Sequence, residues 1–269
     1  KHVVVRSLLL LLLGWALYCI EPGRITFRFQ NVLAQLGVTY PIAYFLMRRR
    51  PRTQVAWSLG FIALAEVLYR TFGVFGYDQP FTPDHNFGSW VDMLISGELS
   101  AGHWVSFNAV PTAAHTIWGV LAGRWLRSGA APKKKIAWLA GLGAAAVAAG
   151  FALTPVSPMI KRISTSSFVL AGGGFCLLAM AFSYWLVDVR RLGGWAKFLN
   201  IVGLNSLFIY LFTESGGTAW VLRLVRPFTM AFAGWTGRLA AEILTSLAAW
   251  AALWYMCYWL YKKKIIIKI

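Results

Sequence analysis

The chain alternates between long apolar runs and short polar connections. Runs long enough to cross a bilayer, about 17–25 residues, number eight: 3–20, 31–47, 54–73, 106–126, 136–153, 166–187, 197–213 and 237–261. The pattern predicts an all-α fold, a polytopic membrane helix bundle of about eight transmembrane helices forming a single domain over 1–269. The longest connection, 74–105, contains Tyr77-Asp-Gln-Pro80, Thr82-Pro-Asp-His-Asn86 and Gly88, which is turn chemistry. Within it, Trp90-Val-Asp-Met-Leu-Ile95 spells a short amphipathic helix at the outer surface. An outer loop of this length is expected to be a lid or binding element.

Composition supports this class. Mean hydropathy is +0.61, 58% of residues are hydrophobic and only 13% are charged; 14 Trp and 10 Tyr suit two interfacial belts. A net charge of +17 would point to nucleic acid in a polar protein, but its placement argues otherwise. Lys1 with Arg6, Arg48 to Arg50 with Arg52, Arg124 with Arg127 and Lys133 to Lys135, Arg190 with Arg191 and Lys197, and Lys262 to Lys264 with Lys268 fall at alternate span ends. Glu21, Asp78, Asp84, Asp92, Glu98 and Glu214 fall in the opposite loops. The positive-inside rule then expects an inner (cytoplasmic) membrane protein with both chain ends cytoplasmic. Anionic lipids are the expected contact and nucleic acid is not. Cys19, Cys176 and Cys257 lie in or at the ends of spans without metal-ligand spacing, so no metal site is expected. The chain opens on Lys1 with an apolar run and no cleavage motif, and reads as the remainder of a longer membrane protein.

Polar groups inside the spans are the candidate chemistry, because each is costly in hydrocarbon. Asn108, Thr112 and His115 follow at spacings of four and three, on one helical face with Gly119. His115 suits a site-lining base or a hydrogen-bond donor to substrate, and equally an interhelical bond that holds packing. Gly119 with Gly123, and Gly172 to Gly174, suit close helix packing. His103, ahead of Trp104, and His85, after Asp84, could act as acid or base at the outer surface. Lys161 and Arg162 precede a hydroxyl cluster that includes Ser164. They oppose the positive-inside bias and suit either an anionic ligand or lipid phosphates. Asn205, within the seventh run, and Glu214, at its outer end, complete the set. Glu66 with Arg70, and Arg238 with Glu242, stand at i,i+4 and are expected to neutralise one another. Arg24 and Arg28 are candidates for contacting an anionic headgroup.

Several stretches together resemble one family. They are Gln35-Leu-Gly-Val-Thr-Tyr40, His103-Trp-Val-Ser-Phe-Asn-Ala-Val-Pro-Thr-Ala-Ala-His115, Lys161-Arg-Ile-Ser-Thr-Ser-Ser-Phe168, Tyr184-Trp-Leu-Val-Asp188, Gly203-Leu-Asn-Ser206 and Tyr261-Lys-Lys-Lys-Ile-Ile-Ile-Lys-Ile269. Across essentially the whole chain, this ordered set is similar to the bacterial branch of the transmembrane acyltransferases related to heparan-alpha-glucosaminide N-acetyltransferase. The resemblance implies transfer of an acetyl group from acetyl-CoA, as co-substrate, to an amino sugar or glycan acceptor across the membrane. It also implies a preceding segment bearing the family's proposed catalytic histidine, which no residue here replaces by position. On this reading His115 and His103 are the catalytic candidates, with Asn108, Thr112, Lys161, Arg162, Ser164, Asn205 and Glu214 as substrate or cofactor contacts. A homo-oligomer is admitted. The rival expectation is a transporter or flippase for a glycan or lipid-linked precursor, in which the same polar helix lines a path and no bond is made.

Overall fold

A computed structural model describes residues 2–20 and 22–269. Lys1 and Glu21, assigned above to the cytoplasmic cations and the opposite acids, lie outside the described residues. Those residues are all-helical, with no strand among them. The helices are α1 (His2–Ile20), α2 (Val32–Leu46), α3 (Pro51–Thr71), α4 (Phe87–Ser96), α5 (Ala109–Leu126), α6 (Pro132–Ala152), α7 (Ser166–Tyr184), α8 (Ala196–Leu204), α9 (Ser206–Phe212), α10 (Thr218–Ala233) and α11 (Arg238–Lys262). Two compact units result, 1–191 and 192–269.

In length and apolar character, four helices suffice to cross a membrane: α1, α6, α7 with the π turn that extends it to Val189, and α11. A fifth is reached if α8 and the helical stretch Ser206–Thr236 count as one bent span. These apolar helices mark a membrane protein, and four or five of the expected eight spans meet the criteria of length and composition. The shortfall has physical causes. α2 is only 15 residues long, and α3 and α5 dilute their apolar runs with Gln54, Glu66 and Arg70 and with Thr112, His115 and Arg124.

The first unit is built around α5, which packs against α2, α3, α6 and α7. α6 and α7 form its most extensive pair, and glycine makes their approach possible. A Cβ on Gly150 would meet the Ala171 backbone nitrogen at 2.6 Å, and one on Gly174 would meet the Gly143 carbonyl oxygen at 2.7 Å. The packing role expected of Gly172 to Gly174 is therefore filled by Gly174 against α6 and by Gly173 against the Trp118 ring. Gly119 and Gly123 do not share it. No atom lies within 4 Å of a Cβ built on either, because α5 turns that stripe away from its neighbours.

Side-chain bonds sort the helix ends of this unit. Arg124, closing α5, donates to the carbonyls of Met47 and Arg49 ahead of α3, and Lys135, opening α6, lies over the Tyr184 ring at the end of α7. Arg48 to Arg50, Arg52, Arg124, Arg127 and Lys133 to Lys135 accordingly share one end, the basic end. The segment 72–108 occupies the other, the loop end. There Tyr69, Phe87, Val105 and Ile163 form a buried core, joined by Phe72, Trp90 and Phe107. α4 forms as expected within the loop: Asn86 caps its start by accepting from the Ser89 amide, and Gly97 at φ 68° ends it. Phe87 and Asp92 face inward while Met93, Leu94 and Ile95 stay exposed.

In the second unit, the expected span 197–213 is interrupted. α8 ends at Leu204, and the chain bends by 67° at Asn205 before continuing. The stretch 214–236, expected to be a connection, contains α10, which packs on α11 with Thr229 and Thr245 hydroxyls 2.6 Å apart.

Candidate functional site

Polar side chains gather at the loop end of the first unit. His103 follows a turn in which its amide donates to the Ser100 carbonyl, and both His103 (φ 57°) and Asp84 (φ 65°) adopt left-handed backbone. These two turns aim the side chains at each other, placing His103 Nδ1 2.7 Å from Asp84 Oδ2. The pair is open to solvent, with 40% and 30% of the two side chains exposed. A proton on Nδ1 donated to the carboxylate leaves the lone pair on Nε2, and Nε2 has no hydrogen-bond partner among the described residues. Beside them, the Lys161 ammonium lies 5.4 Å from the centre of the Trp104 ring, a cation–π contact. The Arg162 side chain is exposed, with no ion pair among the described residues.

Under this surface lies a bonded layer. Asn108 Nδ2 donates to the Arg162 carbonyl at 3.3 Å, and Gln35 Nε2 donates to Asn108 Oδ1 and to Thr112 Oγ1 at 3.3 and 2.8 Å. α2, α5 and the 158–165 turn are thereby tied together. Ser164, at φ 54°, is buried and donates to the Lys161 carbonyl within its own turn, so it supports the shape of that turn. The Asp92 carboxylate accepts the Ser106 amide with both oxygens. Burial pushes its pKa above the usual carboxylate range, against the hydrogen bonds from Ser106 and Gln30. Glu98 accepts from Arg28 and Arg24, which gives both arginines a protein partner. Hydrogen bonding from Arg28 holds the Glu98 carboxyl below its usual pKa, with Arg24 assisting.

His115 faces elsewhere. Its Nε2 lies 2.8 Å from the Val169 carbonyl oxygen of α7, and its ring meets Trp118 edge-on at 5.8 Å. Trp118 in turn donates to Ser58 of α3. The imidazole thus makes a bond between α5 and α7. Glu66 and Arg70 pair as expected at 2.7 Å, and Glu66 also accepts from Ser157 and Ser166 at 3.1 and 2.6 Å, joining α3 to the start of α7.

Asn205 and Glu214 belong to the second unit. Asn205 is fully buried; its amide donates to the Ile265 carbonyl at 3.2 Å and accepts from the Ile267 amide at 3.1 Å, clasping the terminal strand of chain to the helix break. Glu214 is exposed in the turn of π helix between α9 and α10. Arg238 and Glu242 pair at 3.0 Å, as their spacing requires.

The first unit thus brings together His103, Lys161, Arg162, Asn108 and Thr112, with Asp84 and Gln35 as partners that spacing did not assign. Gln35 had a signal, a lone amide in an apolar run. The Asp84–His103 pairing had none, since it depends on two left-handed residues. Among the described residues, no three His, Cys, Asp or Glu side chains come together as a metal site requires. Comparison with protein-family models gives no match, and neither does comparison with curated proteins.

Proposed function

We propose that this chain is a membrane-embedded acyltransferase whose acceptor is activated at the loop end by His103, held by Asp84. The Asp84–His103 pair carries this reading. A carboxylate on Nδ1 fixes the tautomer and orients the ring, so that Nε2 can take a proton from an amine or hydroxyl as it attacks an acyl carbon. Acetyl-CoA is the proposed co-substrate and supplies that activated carbonyl. Attack forms the new C–N or C–O bond and the C–S bond breaks; the proton taken by His103 is returned to the departing sulfur. Lys161, over the Trp104 ring next to His103, and the exposed Arg162 that follows it would hold an anionic portion of donor or acceptor. Asn108, Thr112 and Gln35 keep the underlying helices in place, and His115 holds α5 to α7. The proposed acceptor is an amino sugar or glycan.

On this reading α2, α3 and α5 cross the membrane with α1, α6, α7, the bent α8–α10 segment and α11, giving eight crossings. The antiparallel neighbours of α3 and α5, and the internal bonding of their polar groups, support it. The basic end then faces the cytoplasm of an inner membrane, in contact with anionic lipids, and the loop end faces outward.

The 67° break at Asn205 favours one rival, since transporters place broken helices along their path. The full-length protein in proteoliposomes, given acetyl-CoA and glucosamine, separates the two. Acyl transfer predicts release of CoA thiol, with a loss of about a hundredfold or more in His103→Ala and a smaller loss in Asp84→Asn. Glucosamine uptake without thiol release supports transport, and thiol release undiminished in His103→Ala removes the assigned base.

A further inference from the structure

At the basic end of the first unit, an apolar cleft of about 590 Å³ opens between α3 and α6. Its floor is α5 and α7, and α3 and α6 stand apart as its walls. It runs along about two turns of each helix, from Pro51 to Leu59 on α3 and from Trp138 to Ala146 on α6. Eight residues of helix rise about 12 Å, so the cleft runs from the basic end toward the middle of the bundle. Arg124 stands at its mouth together with Trp125 and Trp138, whose rings lie 5.3 Å apart. Arg49, Arg50, Arg52, Lys133 and Lys134 are exposed around that mouth, and no acidic residue lines the cleft.

An apolar slot walled by helices and ringed by cations at its opening matches an amphiphile with a hydrocarbon chain and an anionic head. The paired tryptophans stand where chain and headgroup meet, the position such rings favour. We propose that this cleft is a binding site for one anionic phospholipid, its phosphate at Arg124 and an acyl chain along Leu59 and Ala146. The Arg124 guanidinium holds the carbonyls of Met47 and Arg49 at only 3.3 and 3.4 Å, which leaves donors for a phosphate. The inference is independent of the acyl-transfer reading and survives its failure.

Native mass spectrometry of the full-length protein from mixed micelles of dioleoyl phosphatidylglycerol and dioleoyl phosphatidylcholine tests it. One cation close to an anionic headgroup is worth about fivefold in affinity, so one phosphatidylglycerol should be retained at least about fivefold over phosphatidylcholine. Arg124→Gln should lower that ratio about fivefold. Ala146→Phe, which fills the inner end, should lower retention of both lipids. If either variant fails to fold, the intact protein still decides: chain-brominated phosphatidylglycerol should quench tryptophan fluorescence at a lower mole fraction than the brominated phosphatidylcholine, and the difference should shrink with salt. Equal retention of the two lipids, unchanged preference in a folded Arg124→Gln, or displacement by free CoA at lower concentration than by short-chain phosphatidylglycerol would each overturn the proposal.

Discussion

Two histidines of the first unit meet opposite surroundings. At the loop end, His103 is partly exposed and held by a carboxylate, with one ring nitrogen left unbonded. In the α5–α7 seam, His115 spends its Nε2 on a backbone carbonyl and lies against Gly172, Gly173 and Trp118. A carboxylate on Nδ1 at an exposed turn orients the ring and leaves Nε2 facing solvent. A carbonyl partner inside a helix pair takes up Nε2 and serves to hold two helices in register. Depth in the membrane alone would favour His115; the proposed base is instead His103, for its partner and its exposure.

The contrast can be broken first at its functional side. His103→Ala should reduce acetyl transfer by about a hundredfold or more while leaving the melting temperature of the detergent-solubilised protein within a degree or two. An equal loss in His115→Ala, at unchanged stability, would reverse the two assignments. The structural side is tested next. Gly150→Leu sets a side chain against the Ala171 backbone, which cannot yield as a flexible side chain would; destabilisation of about 1–3 kcal/mol should appear in thermal unfolding, and an unchanged unfolding temperature would mean that α6 and α7 are not in such contact. His115→Ala should cost less, roughly 1–2 kcal/mol, with the remaining folded protein transferring acetyl groups at near the parental rate. The smallest effect concerns pH. Glu98 has its pKa lowered in the folded chain, first by Arg28, so the stability from this bridge is present at neutral pH. It is lost as pH falls through the folded-state value, because the unfolded chain takes up the proton first. Protection factors of the amides in 95–100, corrected for the intrinsic pH dependence of exchange, should fall on acidification in the parent and should already be low at neutral pH in Glu98→Gln.

Much of this was legible in the sequence, for reasons visible in particular residues. Apolar runs located α1, α2, α3, α5, α6, α7 and α11, since a buried or lipid-facing helix needs little beyond hydrophobicity and length. The i,i+4 pairs Glu66–Arg70 and Arg238–Glu242 followed from helical geometry alone, and α4 followed from Asn86, the 90–95 pattern and Gly97. α10 was hidden because Arg223, Arg226 and Pro227 interrupt its apolar character, although Thr229 and Thr245 bind it to α11. The break at Asn205 depends on a tail sixty residues further along, which no local pattern reports. Gly119 and Gly123 had the right spacing for a packing seam, yet no helix comes to meet them. The candidate site was legible in its members and not in its geometry: His103, Lys161 and Asn108 could be named, while their partners came from turns and distant carbonyls.

The glycine-lined contact of α6 with α7 bears on how the chain is made. These helices are neighbours in the chain, joined by the 153–165 turn, and their backbones touch without waiting for any later segment. During synthesis they can close into a hairpin as soon as both have emerged, since a local contact carries a small loop-closure cost. That hairpin then offers the Val169 carbonyl as a ready dock for α5, already synthesised and carrying the imidazole that will settle there.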